Sequence, residues 1–176
     1  MKMRRIAASF VLAMGSVSVL SQPATAGHGT WYVPDNANQY ISGSSLTSFG
    51  VIARDHGKNQ LERSDITTYW GSNDIDVRDA YYGDDAGFLG QTSCTVQTLT
   101  GRCDVYVVKF NESSIPPYNS MWQYTGCHEF GHTGSLNHRY SGSSDSDNNS
   151  CMREDHWNVS GSSLDGHDIN AINAHF

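Results

Sequence analysis

The sequence predicts a mixed α/β fold in a single domain, and three observations carry that prediction. Setting aside an amino-terminal export segment of 26 residues leaves 176 − 26 = 150, enough for one modest core. Helical and strand-like segments alternate along the chain without an internal repeat. The clearest strand, residues 103–110, is followed by Pro116 and Pro117 and then by a helical stretch over about 119–133.

At the start of the chain, Lys2, Arg4 and Arg5 precede an apolar run over 6–20, and Pro23 leads into Ala24, Thr25 and Ala26. That layout predicts a secretory signal peptide over 1–26, cut after Ala26. The run has fifteen residues, short of the ~20 that span a bilayer, and no later segment is longer and equally apolar. A soluble, secreted, extracellular protein with no membrane association after cleavage is expected. Its formal charge follows from 11 − 3 = 8 Lys and Arg against 18 Asp and Glu, which is −10. A surface of that sign repels phosphate backbones and anionic lipid, which argues against a nucleic-acid partner.

Residues 30–41, "TWYVPDNANQYI", are β-rich at both ends but carry Pro34, which predicts an edge or interrupted strand. From Ser45, the spacing of Leu46, Phe49, Val51, Ile52 and Leu61 predicts a helix, weakened by Gly50 and Gly57. "DITTYW" (65–70) and "DIDVRDAYY" (74–82) read as strands separated by the turn residues 71–73. Within 103–110, Val105, Val107 and Lys109 share one face, and Tyr106, Val108 and Phe110 share the other. "SGSSDSDNNS" (141–150) has the composition of a surface loop. Leu164, Ile169, Ile172 and Phe176 form one apolar stripe of a closing helix.

Four cysteines in an exported chain predict two disulfides, with three pairings possible. Cys94 and Cys103 flank a hairpin-like segment with Gly101 in its turn, so a Cys94–Cys103 bond closes a short loop and leaves Cys127 with Cys151. The competing reading, zinc thiolates, lacks any C-x-x-C spacing.

The chemistry concentrates in "CHEFGHTGSLNHRY" (127–140). His128 and His132 are four residues apart in the predicted helix, so both imidazoles leave one face a turn apart and can meet one metal ion. Glu129 completes H-E-x-x-H, in which the carboxylate lies beside the metal and can take a proton from water. Catalytic zinc usually has three protein ligands, and His138 can be the third if the helix ends and the chain turns back. Gly134 is the expected breaking point, because a glycine past a helix end tolerates the left-handed conformation. With this composition, H-E-x-x-H arises by chance in roughly one sequence in a hundred. A third histidine at the required offset makes accident about twentyfold rarer still, so the pattern is read as a site.

These residues resemble the signature of the metzincin metalloproteases, H-E-x-x-H-x-x-G-x-x-H followed by a methionine-containing turn. His128, Glu129, His132 and His138 match it, with Met152 in "SCMRED" standing for the Met-turn. The wider layout is similar to the matrixin-like branch and to small secreted bacterial metzincins. The resemblance implies a zincin-like catalytic domain over 27–176: a twisted, mostly parallel sheet with an antiparallel edge strand, a first helix, an active-site helix, a Met-turn and a C-terminal helix. It also implies a monomeric, secreted zinc metalloendopeptidase that holds one Zn²⁺ on the three histidines and uses Glu129 as general base. An extended polypeptide substrate would lie antiparallel to the last strand, 103–110, taken as the substrate-binding edge strand with Val105, Val107 and Lys109. The specificity pocket would be walled by 153–163.

Three positions depart from the family pattern. Ser135 stands where the family has glycine, and a left-handed serine costs on the order of 1 kcal/mol, so a turn made without it is expected. Arg139 follows the third ligand in place of an acidic residue, and Glu154 stands where one branch has tyrosine. Asp84, Asp85, Asp145 and Asp147 offer carboxylate oxygens for Ca²⁺, against the simpler reading of solvated acidic loops. Two other functions compete. A zinc-binding or adhesion protein without turnover has no need of Glu129. A copper enzyme using an amino-terminal His28 requires cleavage after Gly27, a poorer signal-peptidase site.

Overall fold

The structure, a computed structural model, describes residues 32–139, 149–153 and 161–176. The signal-peptide segment, His28, Asp145, Asp147, Glu154 and most of the expected pocket wall lie outside the described residues. Among the described residues the elements run β1 (Asn38–Ser42), α1 (Ser48–Leu61), β2 (Thr67–Trp70), β3 (Ile75–Ala80), a short 3-10 turn (Asp84–Ala86), β4 (Gly90–Gln97), β5 (Cys103–Asn111), α2 (Asn119–Thr133) and α3 (Gly166–Asn173). The five strands form one sheet in the order β2-β1-β3-β5-β4. β2, β1, β3 and β5 pair in parallel, and β4 runs antiparallel to β5. The fold is therefore mixed α/β with a mostly parallel sheet and one antiparallel edge strand.

Parallel neighbours need crossover connections, and α1 supplies the one from β1 to β2. Thr47 starts that helix: its hydroxyl accepts from the Gly50 amide at 3.1 Å, while Asp79 on β3 accepts from the Thr47 amide and hydroxyl. β4 and β5 need only a hairpin. Its turn is closed by the Thr98 amide donating to Arg102 O and the Gly101 amide to Thr98 O, with Gly101 in the left-handed region. The Cys94–Cys103 disulfide ties the two strands of this hairpin together.

One face of the sheet presents Ile41, Ile75, Val77, Tyr106, Val108 and Phe110, all fully buried. Ala53 and Leu61 of α1 and Trp122 and Phe130 of α2 share the core with them. α1 and α2 approach closely because α2 has no side chain at Gly126, where a Cβ would collide with the Ala53 carbonyl. The two faces read for 103–110 are present: Tyr106, Val108 and Phe110 are buried, while Val105, Val107 and Lys109 are half-buried.

Several sequence expectations need correction. Of the two readings of 30–41, the interrupted strand holds, with a bridge at Pro34, a break over 35–37 and then β1, but the edge does not, since β1 pairs with β2 on one side and β3 on the other. Pro34, which suggested an edge, lies ahead of it in an isolated bridge to Cys103 and disturbs no ladder. β5 with Val105, Val107 and Lys109 is likewise not an edge strand: β3 and β4 occupy both of its sides, so its backbone groups are spent within the sheet. The edge next to α2 is β4. In the closing stripe Leu164 and Ile172 are buried, but Phe176 is 44% exposed and lies past the end of α3.

Candidate metal centre

α2 carries His128, Glu129 and His132, and its bounds match the expected helix. It ends at Gly134, which keeps an ordinary φ of −83°; the left-handed residue is Ser135, at φ 76°. The chain therefore turns back at the serine itself, contrary to the expectation that Gly134 would supply the break. Gly134 is wanted for space: a Cβ there would lie 2.9 Å from Ile172 Cδ1 of α3. After the turn, His138 faces the other two histidines.

The three imidazoles converge through Nε2. His132 Nε2 lies 3.2 Å from His128 Nε2 and 3.1 Å from His138 Nε2. The other ring nitrogens explain the orientation. His128 Nδ1 is 2.7 Å from the Cys151 carbonyl and His132 Nδ1 is 2.8 Å from the Leu136 carbonyl. A carbonyl only accepts, so in both rings Nδ1 is the protonated nitrogen and Nε2 presents a lone pair. Lone pairs facing one another at about 3 Å repel, and a cation between them removes the repulsion. Tetrahedral coordination with metal–nitrogen bonds of ~2.0–2.1 Å places neighbouring nitrogens about 3.3 Å apart, so the donor set fits a zinc-like ion. Burial holds His132 neutral by pulling its pKa down to about 4, the form a metal ligand requires. Among the described residues this is the one group of three or more His, Cys, Asp or Glu side chains that could hold a metal ion. Asp84 and Asp85 lie exposed on the 3-10 turn and join no such group.

Beneath the histidines, residues 150–153 are fixed by covalent and hydrogen bonds. The Cys127–Cys151 disulfide joins α2 to this turn. The Arg139 amide donates to Met152 O at 2.8 Å, the Met152 amide donates to Ser150 Oγ at 2.9 Å, and the Ser150 hydroxyl donates to Asp168 Oδ2 at 2.5 Å. Met152 is fully buried, with its sulfur packed on Gly131, where a Cβ would clash with it. Arg139 is ion-paired with Asp165 and lies 3.6 Å from the fully buried Asp168. Burial pushes Asp168 up to about 6, whereas its backbone hydrogen bonds and the Arg139 partner hold Asp165 below the usual carboxylate range. Asp165 and Asp168 also form the capping box of α3, so the residue after the third histidine is locked to that helix.

A cleft of about 480 Å³ opens over the histidines. One side is the segment 87–92, which includes the start of β4; the other includes Tyr124, Thr125 and Arg153. Glu129 lies on its wall, 4% exposed, with Oε2 accepting from the Thr92 hydroxyl at 2.7 Å. Burial pushes this carboxyl up to about 8. The Tyr124 ring stacks near His128, and its hydroxyl donates to Arg153 O at 2.8 Å.

Sequence reading singled out the three histidines, which the structure brings together, Glu129, which lies on the cleft wall, Met152, which packs on Gly131, and both disulfides, which the structure forms. It did not find Gly90, Thr92, Tyr124 or the Arg139–Asp165–Asp168 group. Alternation along β4 places Gly90 and Thr92 on one face, but nothing local identifies the helix that this face meets.

No protein-family model matches the chain, and no curated protein matches it. Among the described residues no helix is long and apolar enough to cross a membrane. The two disulfides are consistent with an extracellular protein.

Proposed function

We propose that the protein is a secreted metzincin-type zinc metalloendopeptidase with a zincin-like fold. The observation that carries this reading is a three-histidine donor set beside a buried carboxylate, inside a cleft bordered by β4, the edge strand among the described residues. His128, His132 and His138 would hold the ion as neutral imidazoles. When bound, zinc supplies Lewis acidity, which makes a water a strong nucleophile near neutral pH and polarises a carbonyl.

The chain's own residues do the rest. β4, the edge strand among the described residues, would offer its outer backbone groups to an extended polypeptide, giving affinity without a sequence requirement. Glu129, on the cleft wall beside the histidines, takes the proton from the attacking water and passes it to the leaving amine. The Cys151 and Leu136 carbonyls hold the imidazoles of His128 and His132 in orientation throughout. Met152 would be the Met-turn residue, supporting the site from below without touching substrate. A zinc-holding adhesion protein would not use a carboxylate buried on the cleft wall.

Glu129→Gln tests the reading. The variant should keep about one zinc per chain and lose nearly all cleavage of an unfolded polypeptide. Wild-type cleavage should stop with a chelator and return with zinc. Cleavage by Glu129→Gln at the wild-type rate would remove the carboxylate as base, and a wild-type protein that binds zinc but cleaves nothing would defeat the peptidase reading.

A further inference from the structure

The peptidase reading names Glu129 as the base but leaves open what holds its carboxylate in place. A glutamate has three rotatable bonds, and a base works only when its oxygen stays within hydrogen-bond reach of the proton it takes. Among the described residues, the Thr92 hydroxyl is the one hydrogen-bond donor to the Glu129 carboxylate, at 2.7 Å. The same hydroxyl is 2.9 Å from Glu129's own main-chain carbonyl. One side chain on β4 therefore reaches both ends of the glutamate.

Two residues earlier on the same face of β4, the carboxylate meets a vacancy. A Cβ at position 90 would lie 2.5 Å from both Cγ and Oε1 of Glu129 and 2.7 Å from Cδ. Real Cβ atoms do not come that close, so any side chain at this position would push the carboxylate out of its slot. Gly90 has no positive φ to explain it, and its smallness has no other evident use. The height of the slot is set by the hairpin: Gly90 pairs with Phe110 and Thr92 with Val108, and the Cys94–Cys103 bond closes the same strands a little further on.

We infer that Gly90 and Thr92 are a positioning pair for the proposed base, Gly90 by leaving the space that the carboxylate occupies and Thr92 by fixing the carboxylate within it. The inference rests on the peptidase reading for its kinetic consequence and on β4 geometry for the placement. In this role both residues act through Glu129 and not on the reacting atoms themselves.

The test uses the zinc-loaded full chain with Thr92→Val, Thr92→Ser and Gly90→Ala, labelled with ¹³C at the glutamate carboxyls. Thr92→Val keeps the shape and removes the hydroxyl. Its kcat on an unfolded polypeptide should fall about 10- to 100-fold, the loss typical of a small misplacement of a reacting group, with KM and zinc content unchanged. Thr92→Ser restores the hydroxyl and should return kcat to near wild type. Independently of activity, the Glu129 carboxyl resonance should move in Thr92→Val and Gly90→Ala and stay in place in Thr92→Ser, while those of Glu62 and Glu112 stay fixed in all three. Should Gly90→Ala fail to fold, the two Thr92 variants decide alone. An unmoved Glu129 resonance in Thr92→Val, or a wild-type kcat there, overturns the inference. A moved resonance in a protein whose wild type cleaves nothing keeps the placement and removes only the peptidase reading.

Discussion

The floor and the rim of the cleft are secured by different kinds of interaction. Residues 150–153 on the floor are held by a covalent bond and by hydrogen bonds to Arg139 and Asp168, and Arg139 is in turn ion-paired with Asp165 at the start of α3. β4 on the rim holds Glu129 through one hydroxyl and one missing side chain. The floor serves the metal ligands and the rim serves the carboxylate. Metal retention and turnover should therefore fail separately when one side or the other is damaged.

His138→Ala should break this separation hardest. It leaves two ligands on one helix, so zinc affinity should drop by more than the ~10- to 100-fold typical of losing a ligand's hydrogen-bond partner, as read by competition with a chromogenic chelator. Retained tight binding would mean that a group outside the described residues completes the site.

A smaller effect should follow from cutting the covalent tie with Cys127→Ser plus Cys151→Ser. Closing a loop with a sequence separation of 24 contributes about 3.5 kcal/mol in the chain-entropy model, so the melting temperature and zinc retention should fall together. Cys94→Ser plus Cys103→Ser opens a shorter loop, separation 9, and should cost nearly as much stability, about 2.7 kcal/mol, with little change in zinc retention. Equal zinc loss in both variants would show that the floor has no privileged link to the metal.

The smallest effect sharpens the comparison through pH. His132 is depressed in the folded chain to about 4, against 6.5 when exposed, so it stabilises the metal-free fold fully above pH 6.5 and progressively less as pH falls towards 4. Its own contribution should lose about 2 kcal/mol by pH 5. Asp168, raised to about 6, takes up a proton in the fold over the same window and opposes part of that loss. Ring NMR of the metal-free chain should show His132 neutral well below pH 6, and protonation of His132 near 6.5 would refute the burial argument.

The parts of this site that were legible in the sequence are those set by short-range geometry. The i, i+4 spacing of His128 and His132 determines that they share a face, and the proline pair marks where α2 can begin; both hold in the structure. Cys94 and Cys103 pair because a hairpin brings them together locally. Long-range placement was not legible. Strand order depends on which crossovers the packed helices allow, so the edge position that the family resemblance implies for β5 is not realised, and the apolar character of this strand reflects its interior position. Arg139, Asp165 and Asp168 look like ordinary surface charges until α3 folds over them. Ser135 shows that the turn after α2 follows the position in the chain and not the preference of the residue: the chain must reverse there to bring His138 round, and a serine accepts the left-handed backbone.

The hydrogen bond from the Arg139 amide to the Met152 carbonyl has one more consequence. Together with the Arg139–Arg153 bridge, it joins the chain just after His138 to the chain just after Cys151, like a clasp across the base of the intervening segment. The clasp thereby fixes where the chain re-enters the site: Ser150 and Cys151, which meet Asp168, His128 and Cys127, arrive at the floor in one register with Arg139.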